Sequence, residues 1–150
     1  MLQAAPGRPV GLDFFEVGFE PMDELHRQFR DLVVALADPA GADYGAVLLA
    51  LHEHLLRHCA LEEQWMVASD FPSCACHRQE HEMLLEVVAE ARRRVDAGDV
   101  EVARRLAEEL PLWFETHANT MDAALAFYLR DRMRAPDDQA AETVGALGGL

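Results

Sequence analysis

Five histidines and two carboxylates stand at spacings that helices would turn into one pocket: His26, then His58 with Glu62, His77 with His81, and His117 with Asp122. The first two pairs are spaced i,i+4, which puts both side chains on one face of a helix, about one turn apart. The last pair is spaced i,i+5. A single histidine on a helix is ordinarily a core or surface residue, but here one group falls on each of four predicted helices. Four helices that each offer one or two inward donors are how a bundle holds two transition metals in its core.

The residue types set the chemistry. Neutral imidazoles suit iron, zinc, copper and nickel, and a carboxylate can bridge two ions close enough to share one small ligand. Five nitrogens divided between two ions give three to one and two to the other, which leaves the second with an open position. Five neutral donors against two anionic ones favour the lower oxidation states. That balance points to reversible binding of a diatomic rather than its reductive cleavage.

Residues 1–19 are punctuated by Gly and Pro and carry Phe14, Phe15, Val17 and Phe19. They read as an extended arm that packs aromatic side chains onto the bundle. A first helix is expected from Pro21 to Ala37, with Pro21 in the first turn and Asp23 and Glu24 at the positive end of the dipole. Asp38-Pro39-Ala40-Gly41 ends it. A second helix runs from Asp43 to Ser69, its apolar positions recurring at helical spacing. After Asp70-Phe71-Pro72, Ser73 is the expected N-cap of a third helix reaching Ala97. Gly98 is a C-cap candidate and Asp99 a cap for the next start. The fourth helix should span Val100 to Arg132, either kinked by Pro111 in a way that aims His117 or divided into two helices at Leu110-Pro111. Residues 134–150 read as a frayed tail. The expected fold is therefore all-α, an up-down-up-down four-helix bundle over residues 20–133.

Bulk composition narrows the function classes. With 150 residues the chain is long enough for one domain with a proper core. Its net charge is −14 and all 13 basic residues are arginine, so it has no electrostatic route to nucleic acid or to an anionic bilayer. No run approaches the roughly 18 apolar residues of a spanning helix, and the first residues carry no secretory pattern. Three cysteines make no disulfide framework. A reducing cytoplasm is the expected compartment.

The stretches VGFEPMDELHRQF, HCALEEQWM, HRQEH and WFETHANTMD resemble hemerythrins, in particular the single-domain bacterial ones, over about residues 12–130. The resemblance implies a four-helix bundle with a non-haem di-iron centre that binds O₂ reversibly, for storage, delivery or sensing. By motif position, His77, His81 and His117 would hold one iron, and His26 and His58 the other, which takes O₂. Glu62 and Asp122 would bridge the two irons, alongside an oxo or hydroxo group. NO, peroxide and azide-like anions are further ligands of such a site. The alternative on the same scaffold is a di-iron enzyme (a peroxidase, an oxidase or an NO-reducing centre), or a protein that sequesters iron.

Two positions depart from the family's habit. Cys59 follows the second-helix histidine where Phe is common, and Ala118 follows the last-helix histidine where Ile is common. Both exchanges shrink the expected pocket wall, which also includes Phe29, Met66, Trp113 and Phe114; each of these four serves equally as plain core. The expected consequence is a roomier or wetter site with faster autoxidation. His54, one turn before His58, is expected to be a partly exposed helix residue, the alternative being a partner behind His58 or a substitute ligand, and His52 has no assigned role. Glu63 and the Arg92-Arg93-Arg94 run read as solvated, and Cys74 and Cys76 as small residues at a helix start.

Overall fold

A computed structural model of the chain describes residues 16–38 and 43–134. The expectations for Phe14 and Phe15, for Pro39 to Gly41 and for the tail beyond Arg134 lie outside these residues. All regular structure among the described residues is helical: α1 Glu20–Ala37, α2 Tyr44–Ala68, α3 Cys74–Asp96, α4 Glu101–His117 and α5 Ala123–Met133, with a π-helical turn at Ala118–Asp122 joining the last two. These make four rods, since α4, the π turn and α5 follow one another without a gap.

Local sequence explains most of the boundaries. Pro21 sits in the first turn of α1, and Met22, Leu25, His26, Phe29, Val33 and Leu36 form its buried stripe. The Asp43 side chain caps α2 by accepting the Ala46 N–H at 2.9 Å. At the start of α3, Ser73 holds the N-cap position but its hydroxyl makes no cap bond. The end of α3 is better tied. Gly98 has φ +97°, its N–H reaches the Val95 carbonyl, and the Asp99 N–H reaches that of Arg94, both at 2.9 Å. This is a Schellman ending, and it needs the left-handed conformation glycine adopts without strain. Asp99 does not cap α4 as expected; the helix begins one residue later, with Val100 at the N-cap.

The fourth rod keeps Pro111 inside a continuous helix, as the first of the two expectations has it, with no division at Leu110-Pro111. A departure from α geometry that the sequence reading did not include falls at Ala118–Asp122. In a regular α-helix, residues five apart lie about 140° apart around the axis. A π turn widens the coil by one residue and brings them back toward one face, which is what the i,i+5 pair requires.

Helix α1 packs against α2 and α4, and α3 against the same two. Phe29, Leu36, Leu48, Leu51, Val88 and Phe114 belong to one buried apolar cluster; Met22, Met66, Leu125, Ala126 and Leu129 form another. Along every rod the polar buried residues fall between contributions to these clusters, so the bundle carries a polar layer with an apolar layer on either side. Each buried Leu, Phe or Met contributes ~1.5–3 kcal/mol.

The end of the arm is pinned rather than loosely laid on. Asp23 is buried and accepts the backbone N–H groups of Val17 at 2.7 Å and Gly18 at 3.2 Å, so it does more than complement the dipole. Phe19 meets Trp65 edge-on, with ring centroids 5.3 Å apart. At the α2–α3 turn, the Tyr128 hydroxyl donates to the carbonyls of Ser69 (2.7 Å) and Asp70 (3.1 Å), holding α5 against that turn. No helix among the described residues is long and apolar enough to cross a membrane.

Candidate metal centre

The polar layer contains all seven residues singled out in the sequence. His26, His58, Glu62, His77, His81, His117 and Asp122 are each at most 5% exposed. They come from all four rods, and they meet because each i,i+4 pair faces inward and the π turn carries Asp122 round to the side of His117.

The two carboxylates divide their oxygens between two groups of imidazoles. Glu62 Oε1 lies 2.7 Å from His58 Nε2 and 3.8 Å from His26 Nε2. Its Oε2 lies 3.2 Å from both His77 Nε2 and His81 Nε2. Asp122 Oδ2 stands 3.0 Å from His26 Nε2, and its Oδ1 stands 3.0 Å from His77 Nε2 and from His117 Nε2. Two sets of converging ligand atoms result: Glu62, His77, His81, His117 and Asp122 in one, and His26, His58, Glu62 and Asp122 in the other, each within 4.8 Å. Glu62 and Asp122 are common to both.

The donors fit a pair of cations. Both Asp122 oxygens are buried without a properly aligned hydrogen bond, despite imidazole nitrogens at 3.0 Å. Two buried anions facing five imidazoles leave a costly polar cluster unless positive charge is present. In the metal-free protein that charge comes from protons. Burial opposes ionisation of Glu62, yet His58, with His26 and His77, holds its carboxyl well below the usual range. Burial and Glu62 likewise oppose ionisation of Asp122, and His117, His26 and His77 overcome them to hold its pKa down. Burial works against a charged His77, but Asp122 and Glu62 raise it to about 9. Metal would replace such protons, since an imidazole must be neutral to ligate.

Apolar side chains close over the layer. Phe114 stacks on Phe29 at 4.3 Å and meets His26 edge-on at 5.0 Å. Trp113, half-buried, lies parallel to His117 at 4.8 Å. Met66, Cys59 and Ala118 are buried; burial, with Glu62 and Asp122 nearby, pushes the Cys59 thiol up in pKa. A cavity of about 280 Å³, lined by Phe71, Ser73, Cys76, Thr120 and Met121 among others, reaches His77 from another side.

Two residues around the layer escaped the sequence reading. His54 is 3% exposed rather than partly exposed, because the stripe it shares with His58 and Glu62 faces inward. Its Nε2 lies 3.3 Å from His58 Nδ1, and burial, followed by the charge of His58, lowers its pKa to about 4. Glu80, the fourth residue of HRQEH, bonds His117 Nδ1 at 2.6 Å. Its signal was available: it lies one residue before His81, on a helix that already supplies two inward donors. His52 pairs with Arg92 at 2.9 Å, joining α2 to α3. Glu63 pairs with Arg78 at 3.0 Å, and Arg93 and Arg94 pair with Glu90 on the exposed face of α3. Cys74 is half-buried and Cys76 exposed.

Comparison with known proteins agrees with this geometry. The family described as Hemerythrin HHE cation binding domain matches residues 17–127. A bacteriohemerythrin of Ralstonia nicotianae is 40% identical over 116 residues, covering 77% of this chain and 85% of the relative. One from Stenotrophomonas maltophilia is 30% identical over 121 residues, 78% of each chain. One from Methylococcus capsulatus is 29% identical over 110 residues, 71% of this chain and 82% of the relative.

Proposed function

The chain belongs to the hemerythrin HHE cation-binding family, and from that premise we propose that it holds two iron ions in its polar layer and binds O₂ reversibly without turning it over. The observation that carries this reading is the division of the Glu62 and Asp122 oxygens between a three-imidazole and a two-imidazole set. Bound there, the irons would supply the electrons that O₂ binding borrows and returns.

The protein's own part is positioning and exclusion. His77, His81 and His117 would fill most positions around one ion, while His26 and His58 leave room at the other for a diatomic. Phe114 and Phe29 lie over the His26 side and keep that room apolar, which disfavours water and the escape of charged products. Five neutral donors against two anions support binding over oxidation. The same reading covers storage, delivery or sensing of O₂, and NO or azide-like anions as competitors for the open position. Three free thiols support placing the protein in a reducing cytoplasm.

The test is the visible spectrum of the anaerobically reduced protein, with iron content, before air, after air and after deoxygenation. A band that comes with O₂ and leaves on its removal, at two irons per chain, is the expected result. Catalytic turnover of H₂O₂ or NO with no reversible band would replace carriage by an enzyme on the same scaffold. A colourless zinc protein would leave metal sequestration.

A further inference from the structure

The two ligand sets differ in what stands behind their histidines. A metal-ligating imidazole commonly donates its other N–H to an outer acceptor, which fixes the ring's tautomer and raises its basicity. Behind the three-imidazole set, Glu80 bonds His117 Nδ1 at 2.6 Å. A carboxylate only accepts, so Nδ1 carries the proton. Nε2, which faces Asp122 Oδ1 at 3.0 Å, is left with its lone pair toward the centre. Trp113, lying flat against the ring, holds its plane. Behind the two-imidazole set, His58 Nδ1 faces a neutral partner at a longer distance, His54 Nε2 at 3.3 Å. An outer partner is not automatic: His77 Nδ1 is buried with none among the described residues.

Number and basicity therefore point the same way. One set has three imidazoles, with an anion behind His117; the other has two, with a neutral ring behind His58. We propose that the two pockets load in a fixed order, the His77/His81/His117 pocket first and more tightly, and that Glu80 is the positioning residue that sets the gap between them. This rests on the ligand assignment of the preceding section. It makes a chain with one ion a defined species, with the two-imidazole pocket the one that gains and loses metal.

Anaerobic Co(II) titration of metal-free protein tests the order, read by cobalt visible absorption and by ions bound per chain, with far-ultraviolet circular dichroism as a control of folding. Wild type should bind two ions in two resolved steps. Glu80→Gln should weaken the first by about 10- to 100-fold and alter the spectrum of the first ion, leaving the second constant in place. His54→Phe should weaken only the second step. In fully loaded wild type, limited chelator should remove one ion and return the spectrum of the first titration step, a readout that needs no variant. Two ions bound in one unresolved step would overturn the proposal. So would a Glu80→Gln protein with an unchanged first step, or with both steps weakened alike. Wild type that binds no Co(II) would instead overturn the ligand assignment itself.

Discussion

Phe114 presents its ring edge-on to the imidazole of His26, with centroids 5.0 Å apart and planes at 89°, and also stacks on Phe29. One side chain thus belongs at once to the apolar layer and to the wall of the site. Phe114→Ala should cost ~3–5 kcal/mol in chemical unfolding of the metal-free protein, the usual range for deleting a buried aromatic ring. It should also speed loss of the O₂-bound form in the iron-loaded protein. A large loss of stability with an unchanged oxidation rate would separate the two roles and assign Phe114 to the core alone.

Cys59 and Ala118 decide how much room the wall leaves. If they leave a real vacancy, Cys59→Phe with Ala118→Ile should lose less than ~1 kcal/mol and slow autoxidation. If the surroundings already fill that space, overpacking should cost ~1–3 kcal/mol for each added group. Urea unfolding of the metal-free double variant distinguishes the two, and an oxidised form that accumulates as fast as in wild type would sink the roomy-pocket reading.

The metal-free protein should lose stability as pH rises from 6.5 to 8.5. His77 is raised from 6.5 to about 9 on folding, and His117 is raised too, against the pull of burial, by Asp122 and Glu80. Across that window these two groups hold more protons in the folded chain than in the unfolded one, so their stabilisation is full below about 6.5 and fades as pH climbs toward 9, while His81 in the same cluster is lowered, chiefly by burial, and offsets part of it at the acid end. The lowered carboxylates stay ionised throughout, and His54, lowered to about 4, stays neutral in the folded chain. Urea midpoints should therefore fall with pH, and Asp122→Asn should flatten the slope. A midpoint that climbs across the window in wild type would contradict the charged cluster.

The three thiols should report burial directly. Iodoacetamide at pH 8 should label exposed Cys76 first and spare Cys59, which is buried and whose thiol resists ionisation. Mass spectrometry of timed digests reads the order. Early labelling of Cys59 would mean that the wall opens on the timescale of the reaction.

Much of this was legible because it depends on side-chain type and period. The i,i+4 pairs need only a helix to become convergent, and the alternation of apolar and polar stretches along each rod fixes where the layers fall. What stayed hidden depended on geometry that the α period does not contain. The i,i+5 spacing of His117 and Asp122 was visible, but regular helix geometry would have left it unexplained. His54 was misjudged because a second histidine on the stripe of His58 and Glu62 looked surplus, and Glu80 was passed over because a glutamate on a helix is usually solvated. Asp99 shows the limit of capping rules, since a start shifted by one residue puts Val100 at the cap instead.

The wide turn at Ala118–Asp122 also has a genetic reading. A helix that takes in one extra residue without moving what lies on either side shows the change as a single π turn. His117 and the residues before it then belong to one helical frame, and Asp122, Leu125 and Leu129 to another, offset by one residue. Loss of one codon between them would merge the frames into one continuous α-helix and leave the last histidine and carboxylate four residues apart, the spacing of the other two inward pairs. A change of one residue at this turn is therefore absorbed without moving the layers on either side, and a spacing of either four or five between the final two donors can build the same centre.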